Sequence, residues 1–146
     1  MPAWVYTTLI PGVIVGWFLL IALISYGGGW HALAQLYPDN PMAVVDGPSW
    51  SFQSMSLRTW CGYNGCMMIV AGDDGLRLAV WPIFRPAHPP LFLPYDEMTF
   101  EDLKMLGVNR TRVRMQRLPH ITIDLLPVVL QSHRGPITQQ STEHTE

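Results

Sequence analysis

Charge is missing from the start of this sequence: no Asp, Glu, Lys or Arg occurs before Asp39, and all nine basic residues lie from Arg58 onward. Charged residues make up 14% of the chain, against roughly 25% in a typical soluble domain, while hydrophobic residues reach 49%. The chain therefore divides into two regions suited to different solvents. Cysteine is scarce as well. Cys61 and Cys66, in Cys-Gly-Tyr-Asn-Gly-Cys, are too few for a disulfide framework or a four-thiolate zinc site, and their spacing misses the Cys-x-x-Cys redox pattern. They read as two small residues beside a glycine-rich turn, with a disulfide open only if the domain meets an oxidising compartment. A basic excess is also absent. A net charge of −2 and a pI near 6.2 remove the electrostatic footprint of a nucleic-acid binder.

Catalytic signatures are lacking too. His31, His88, His120, His133 and His144 are scattered, with no i, i+4 pair and no metalloprotease or haem-attachment motif. No serine sits in a nucleophile motif, and there is no phosphate-cradling loop or dinucleotide fingerprint. The expectation is a non-enzyme with no cofactor and no metal.

What is present at the N-terminus is a hydrophobic run. Residues 8–26, TLIPGVIVGWFLLIALISY, carry no charge and reach about 28 Å as a helix, close to the roughly 30 Å of a bilayer's hydrocarbon core. Trp4 and Tyr6 precede the run and Tyr26 and Trp30 follow it, which places amphipathic rings at both interfaces. Trp4, Ile14, Trp17, Leu20, Tyr26 and Trp30 are the expected anchor residues, with Pro11 near the first turn, where a missing N–H costs least. Gly12 and Gly16 form a small-xxx-small pair that suits close approach of another helix. Ala32-Leu33-Ala34 resembles a signal-peptide cleavage site, but no Lys or Arg precedes the run, so a retained anchor is expected. All basic residues lie beyond the helix, which favours a cytoplasmic C-terminal domain.

Beyond the helix, Gly27-Gly28-Gly29 reads as a flexible neck, residues 30–36 as a short interfacial helix, and 31–49 as a turn-rich linker. Strands are expected over 50–58, 66–71, 76–81, 91–93, 98–106 and 110–118, with Ile121 and Ile123 continuing the pattern after Pro119. The clearest hairpin joins 66–71 to 76–81 around Gly72-Asp73-Asp74-Gly75. Thr111, Val113 and Met115 alternate with Arg110, Arg112 and Arg114, the period of a half-buried antiparallel strand. If 107–109 makes the turn, Asp102 falls opposite Arg114 and acidic residues neutralise basic ones across strands. The expected core is Phe52, Ile69, Leu76, Leu78, Val80, Val113, Met115, Ile121 and Ile123. Asp124 can cap a terminal helix reaching about residue 134, followed by a polar, disordered tail, 135–146. The division is thus anchor 1–30, linker 31–49, β domain 50–134 and tail 135–146.

Short antiparallel strands closed by one helix resemble the pleckstrin-homology or GRAM-like architecture, a small bent barrel. Within it, FRPAHPPLFLPYDEM, residues 84–98, is similar to a Phe-Arg-x-x-His-Pro-Pro-Leu-x-x-Pro-aromatic-x-Glu pattern of uncharacterised, membrane-anchored bacterial proteins. That resemblance covers about residues 50–134 and implies a bacterial inner membrane but no activity. Where lipid-binding pleckstrin-homology domains carry a basic first hairpin, this chain has Asp73 and Asp74, so phosphoinositide binding is not expected.

The proline-rich stretch 84–95 cannot be a central strand, and its apolar groups suit a docking surface. Phe84, His88, Leu91, Phe92 and Tyr95, with Arg112 and Arg114, are the candidate partner-binding residues. An alternative reading has the loop folding back to plug one end of the barrel. The expected function is a structural or accessory subunit of a larger membrane complex, of respiratory or photosynthetic type, with lipids and other subunits as partners. A membrane-anchored module binding anionic lipid or peptide is the other reading.

Overall fold

A computed structural model describes residues 2–42, 46–58 and 60–130. Helix α1, Ala3–Gly28, contains the whole apolar run, has a mean hydropathy of 2.3 in its best window and is long and apolar enough to cross a membrane or to act as a signal sequence. It begins five residues earlier than the run, so Pro11 lies inside the helix and not in its first turn. Pro11 removes one backbone donor there. Upstream of it, Thr7 and Thr8 each donate a side-chain hydrogen bond of 2.9 Å to the Trp4 carbonyl. Gly29, at φ 95°, ends α1, and α2, Trp30–Leu36, starts at once.

Seven antiparallel strands follow: β1 Ser49–Leu57, β2 Cys61–Ala71, β3 Gly75–Val80, β4 Leu91–Pro94, β5 Met98–Met105, β6 Val108–Met115 and β7 Leu118–Leu125. They form one curled half-barrel sheet in the order β4-β3-β2-β1-β7-β6-β5. Strand β1 joins the two halves: most of its length pairs with β2, and only Ser56 and Leu57 pair with β7. Pro119 is tolerated in β7 because it lies beyond that short pairing, where its missing N–H breaks no ladder with β1. Curvature comes from irregularities. The β1–β2 register shifts on both sides of Gln53, with Phe52 at φ 58° and Gly65 at φ 67°, and such bulges bend a strand and increase its twist.

The concave side holds the core. Leu76, Leu78 and Val80 of β3 meet Ile69 and Met67 of β2, Val113 and Met115 of β6, and Ile121 and Ile123 of β7, all fully buried. Eight of the nine expected core residues are buried; Phe52 is not. The β1 bulge turns Phe52 outward, 63% exposed, with its ring 4.8 Å from Trp81.

Other expectations also change. Strand β2 begins at Cys61 and not Cys66, because Gly65 makes a bulge inside a strand where a turn had been expected; both cysteines are free thiols. The β5–β6 hairpin turns on Leu106 and Gly107, at φ 50° and 80°, so Asp102 pairs with Thr111, Glu101 with Arg112 and Thr99 with Arg114. Two residues with positive φ make a tight hairpin turn whose twist matches the strands, and this sets the register three residues from that of a 107–109 turn.

Among the described residues no C-terminal helix forms. Asp124 belongs to β7 and its carboxylate is taken by Arg112, so it caps nothing; a short 3-10 turn, Pro127–Leu130, follows. The rest of the expected helix, His133 and the tail lie outside the described residues. Finally, the glycine neck and the start of the linker belong to the packed structure: Trp30, Leu33 and Tyr37 are core residues, and Pro38 bridges to Leu91 on the β4 edge.

Candidate functional site

Trp17, Ile21, Ser25 and Gly28 recur every three or four residues and so share one face of α1. That face lies on the domain. The Trp17 indole N–H donates to the Ile83 carbonyl at 3.4 Å, and its ring centroid is 5.6 Å from that of Phe84. Ile21 is buried, and the Ser25 hydroxyl donates to the Ala87 carbonyl. At Gly28 the backbone comes so close that a Cβ would stand 2.6 Å from the Cys61 sulfur. The Gly27 carbonyl accepts from the Arg58 guanidinium at 3.3 Å, which places a cation at the helix C-terminus, where the dipole favours it.

Where α1 turns into α2, Trp30, Tyr63 and His88 form an aromatic cluster, the ring centroids 5.5 to 5.6 Å apart. The Trp30 indole donates to the Pro89 carbonyl at 2.9 Å, pinning the proline loop. His88 is buried. Its Nδ1 lies 3.3 Å from the Pro86 carbonyl, which can only accept, so Nδ1–H donates there and Nε2 is left to accept from the Tyr63 hydroxyl at 3.0 Å. Burial pushes the His88 pKa below its ordinary value, with the carbonyls of Pro86 and Phe84 opposing the shift. Burial also pushes the Tyr63 phenol up, helped by the Cys61 thiol beside it. Both rings are therefore held neutral at physiological pH.

An open cleft of about 400 Å³ lies along this seam, with Ile21 and Ile24 of α1 on one wall, Phe52 and Trp81 on the other, and Tyr63 and His88 beneath. Its lining has no Asp, Glu, Lys or Arg. A second, shallower concavity on the β4 edge is lined by Leu36, Phe92, Pro94, Tyr37, Glu97 and Arg117. Here the Tyr37 hydroxyl donates to Glu97 at 2.7 Å and Arg117 bonds the same carboxylate at 3.0 Å, with its guanidinium 5.5 Å from the Tyr37 ring centre. Desolvation and the neighbouring Glu97 raise the Tyr37 pKa.

The expected partner-binding residues fall into three groups. His88, Leu91 and Tyr95 are buried within the chain, and Phe84 rests on Trp17. Phe92 is half-buried at the second concavity. Arg112 forms a two-point pair with the buried Asp124, at 2.8 and 3.1 Å, and Arg114 pairs with Glu101 at 2.9 Å. Of the residues expected to anchor the chain, Trp4, Ile14, Leu20 and Tyr26 are exposed, Trp17 is 38% exposed, and Trp30 is fully buried in the domain. Sequence reasoning missed Ile21, Ser25, Gly28 and Tyr63. A weak signal existed, since Ser25 and Gly28 are small residues one turn apart at the end of an otherwise bulky run. Among the described residues no group of His, Cys, Asp and Glu could hold a metal ion.

In comparisons with family models, curated proteins and solved structures, nothing matches this chain.

Proposed function

We propose that this protein is a non-catalytic accessory subunit of a larger membrane complex, in which α1 is a retained single-pass anchor and the half-barrel docks on a neighbouring subunit. The observation that carries the reading is the seam. The last three turns of α1 are fastened by Trp17 and Ser25 to the 83–87 loop and by Gly28 to β2, with Ile21 buried between them, so anchor and domain act as one body with its surfaces held at a set height over the bilayer. Such preorganisation lowers the entropy lost when a rigid partner docks. Phe92 and Arg117, at the concavity on the β4 edge, are the surface groups best suited to that contact, being an aromatic and an arginine beside a polar rim. With all basic residues beyond the helix, the domain is assigned to the cytoplasmic side of a bacterial inner membrane.

The meander in which β1 meets β7 supports describing the domain as pleckstrin-homology-like. The alternative of a free module for anionic lipid has less support, because Arg112, Arg114 and Arg117 are each engaged by a carboxylate of this chain.

Purification of the tagged full chain in mild detergent tests the reading. Co-elution with defined membrane partners, weakened by Phe92→Ala together with Arg117→Ala, is the expected result. Elution of the protein alone, with binding to anionic but not neutral vesicles, would replace it with the lipid-module reading.

A further inference from the structure

We propose that the edge of the half-barrel beside α1, formed by Phe52 of β1, Trp81 just past β3 and Ile83 and distinct from the edge strands β4 and β5, is a membrane-immersed surface, in contact with the hydrocarbon of the same bilayer that α1 crosses. This rests on the reading of α1 as a retained anchor. Residues 3–16 of α1 are free of the contacts that fasten it to the domain and span about 21 Å. A hydrocarbon core is roughly 30 Å thick, so a crossing helix must continue for about 9 Å past residue 16 before it leaves the apolar layer. Over that length the domain already reaches the helix: Trp17, still 38% exposed, touches Ile83 and Phe84, and Ile21 is buried. The edge that reaches them descends to the same depth, close to the 5 to 10 Å at which amphipathic helices settle in an interface.

The chemistry of the edge agrees. Phe52, 63% exposed, and Trp81, 37%, stack 4.8 Å apart, Ile83 follows Trp81 by two residues and is 61% exposed, and no charged residue lines the adjoining cleft. In water such a patch would be costly to leave open. The Ile83 carbonyl, which hydrocarbon would otherwise leave unsatisfied, receives the Trp17 N–H. At the other end of the docked stretch, Tyr26 is exposed, Trp60 lies against Gly27 and Arg58 reaches the Gly27 carbonyl. Aromatic rings and a guanidinium are the groups expected at headgroup level. The cleft between α1 and the edge then opens sideways into lipid, and an acyl chain from the bilayer is its occupant.

Site-specific labelling tests this in the full chain reconstituted in phosphatidylcholine vesicles. An NBD group is added at the edge by Ile83→Cys, with Phe52→Cys as the second edge site where the first variant fails to fold. Ile14→Cys marks the anchor and Asp73→Cys the exposed far end of the β2–β3 hairpin; the unmutated chain gives the background from Cys61 and Cys66. The expected result is blue-shifted emission from the edge and anchor labels, lost when doxyl-labelled phosphatidylcholine is included, while the Asp73→Cys label stays sensitive only to aqueous quenchers. A protected anchor label with a water-quenched edge label would overturn the proposal and leave the anchor intact. Water quenching of both would overturn the anchor reading as well. An edge label shielded from water but untouched by doxyl lipid would mean that protein, such as a second copy, covers the edge, and would also overturn it.

Discussion

The seam between α1 and the domain is made of buried apolar and aromatic groups with neutral side chains and one arginine hydrogen-bonded to backbone carbonyls, whereas the β5–β7 surface is held by pairs of opposite charges. Trp30, Tyr63, His88, Ile21 and Phe84 hold the first together by burial and ring packing. The second is a set of ion pairs, Arg112 with Asp124, Arg114 with Glu101 and Arg117 with Glu97, each made within the chain. The difference shows where binding capacity remains. Charges already neutralised by neighbours offer little to an anionic lipid surface, although Arg117, 56% exposed, keeps a guanidinium face for a protein contact; the seam leaves a cleft and an apolar edge uncovered. The two regions also differ in how much a single contact weighs: a buried ring contributes through many close neighbours, and an exposed ion pair loses most of its attraction to water and salt.

The largest effect should come from the seam. Trp30→Ala removes a fully buried indole and the hydrogen bond that pins the proline loop, and a loss of about 3 to 5 kcal/mol in denaturant unfolding is expected. A loss well under 1 kcal/mol would show that α2 is only laid on the domain. Next comes the one exception to the weakness of the charged face. Asp124 is 2% exposed, so Asp124→Ala leaves Arg112 without its partner in a largely buried place and should cost about 3 kcal/mol. If that variant proved as stable as the parent, the contrast between buried and exposed pairs on this face would fail.

The seam should also respond to acid. The folded His88 pKa is depressed, so the unfolded chain binds the extra proton: stability from the neutral ring is complete above the unfolded value near 6.5 and declines as pH falls through it. Between pH 7.5 and 5.5 the melting temperature should therefore drop, and His88→Gln should flatten the slope. An equal slope in the variant would assign the acid sensitivity to other groups. The smallest effect belongs to the exposed Arg114–Glu101 pair, where a double-mutant cycle should return a coupling of about 0.2 to 1 kcal/mol that fades at high salt. A larger, salt-resistant coupling would make the charged face a stabilising element comparable to the seam.

Much of the architecture follows from local pattern. The uncharged run defines α1, the alternation of Thr111, Val113 and Met115 with arginines defines β6, and Gly72 to Gly75 marks the β2–β3 turn, because each depends on neighbours within a few residues. The errors have a common cause. Phe52 follows the spacing of a core residue, but a bulge reverses its direction, and the Leu106–Gly107 turn sets a register that composition does not reveal. The candidate site was half legible: His88 and the proline loop stood out, but not their burial against Trp30 and Tyr63, which are 58 and 25 residues away in the chain.

The sequence by itself determined which segment favours hydrocarbon, which segments alternate as strands and which residues punctuate them, since hydropathy and backbone restriction act locally. Only the tertiary structure decided that α1 is docked on the half-barrel, that Trp30 is a core residue, and that the arginines are paired within the chain. Those outcomes depend on long-range approach: Gly28 against Cys61, Ser25 against Ala87 and Arg112 against Asp124 are contacts between residues that spacing alone does not bring together.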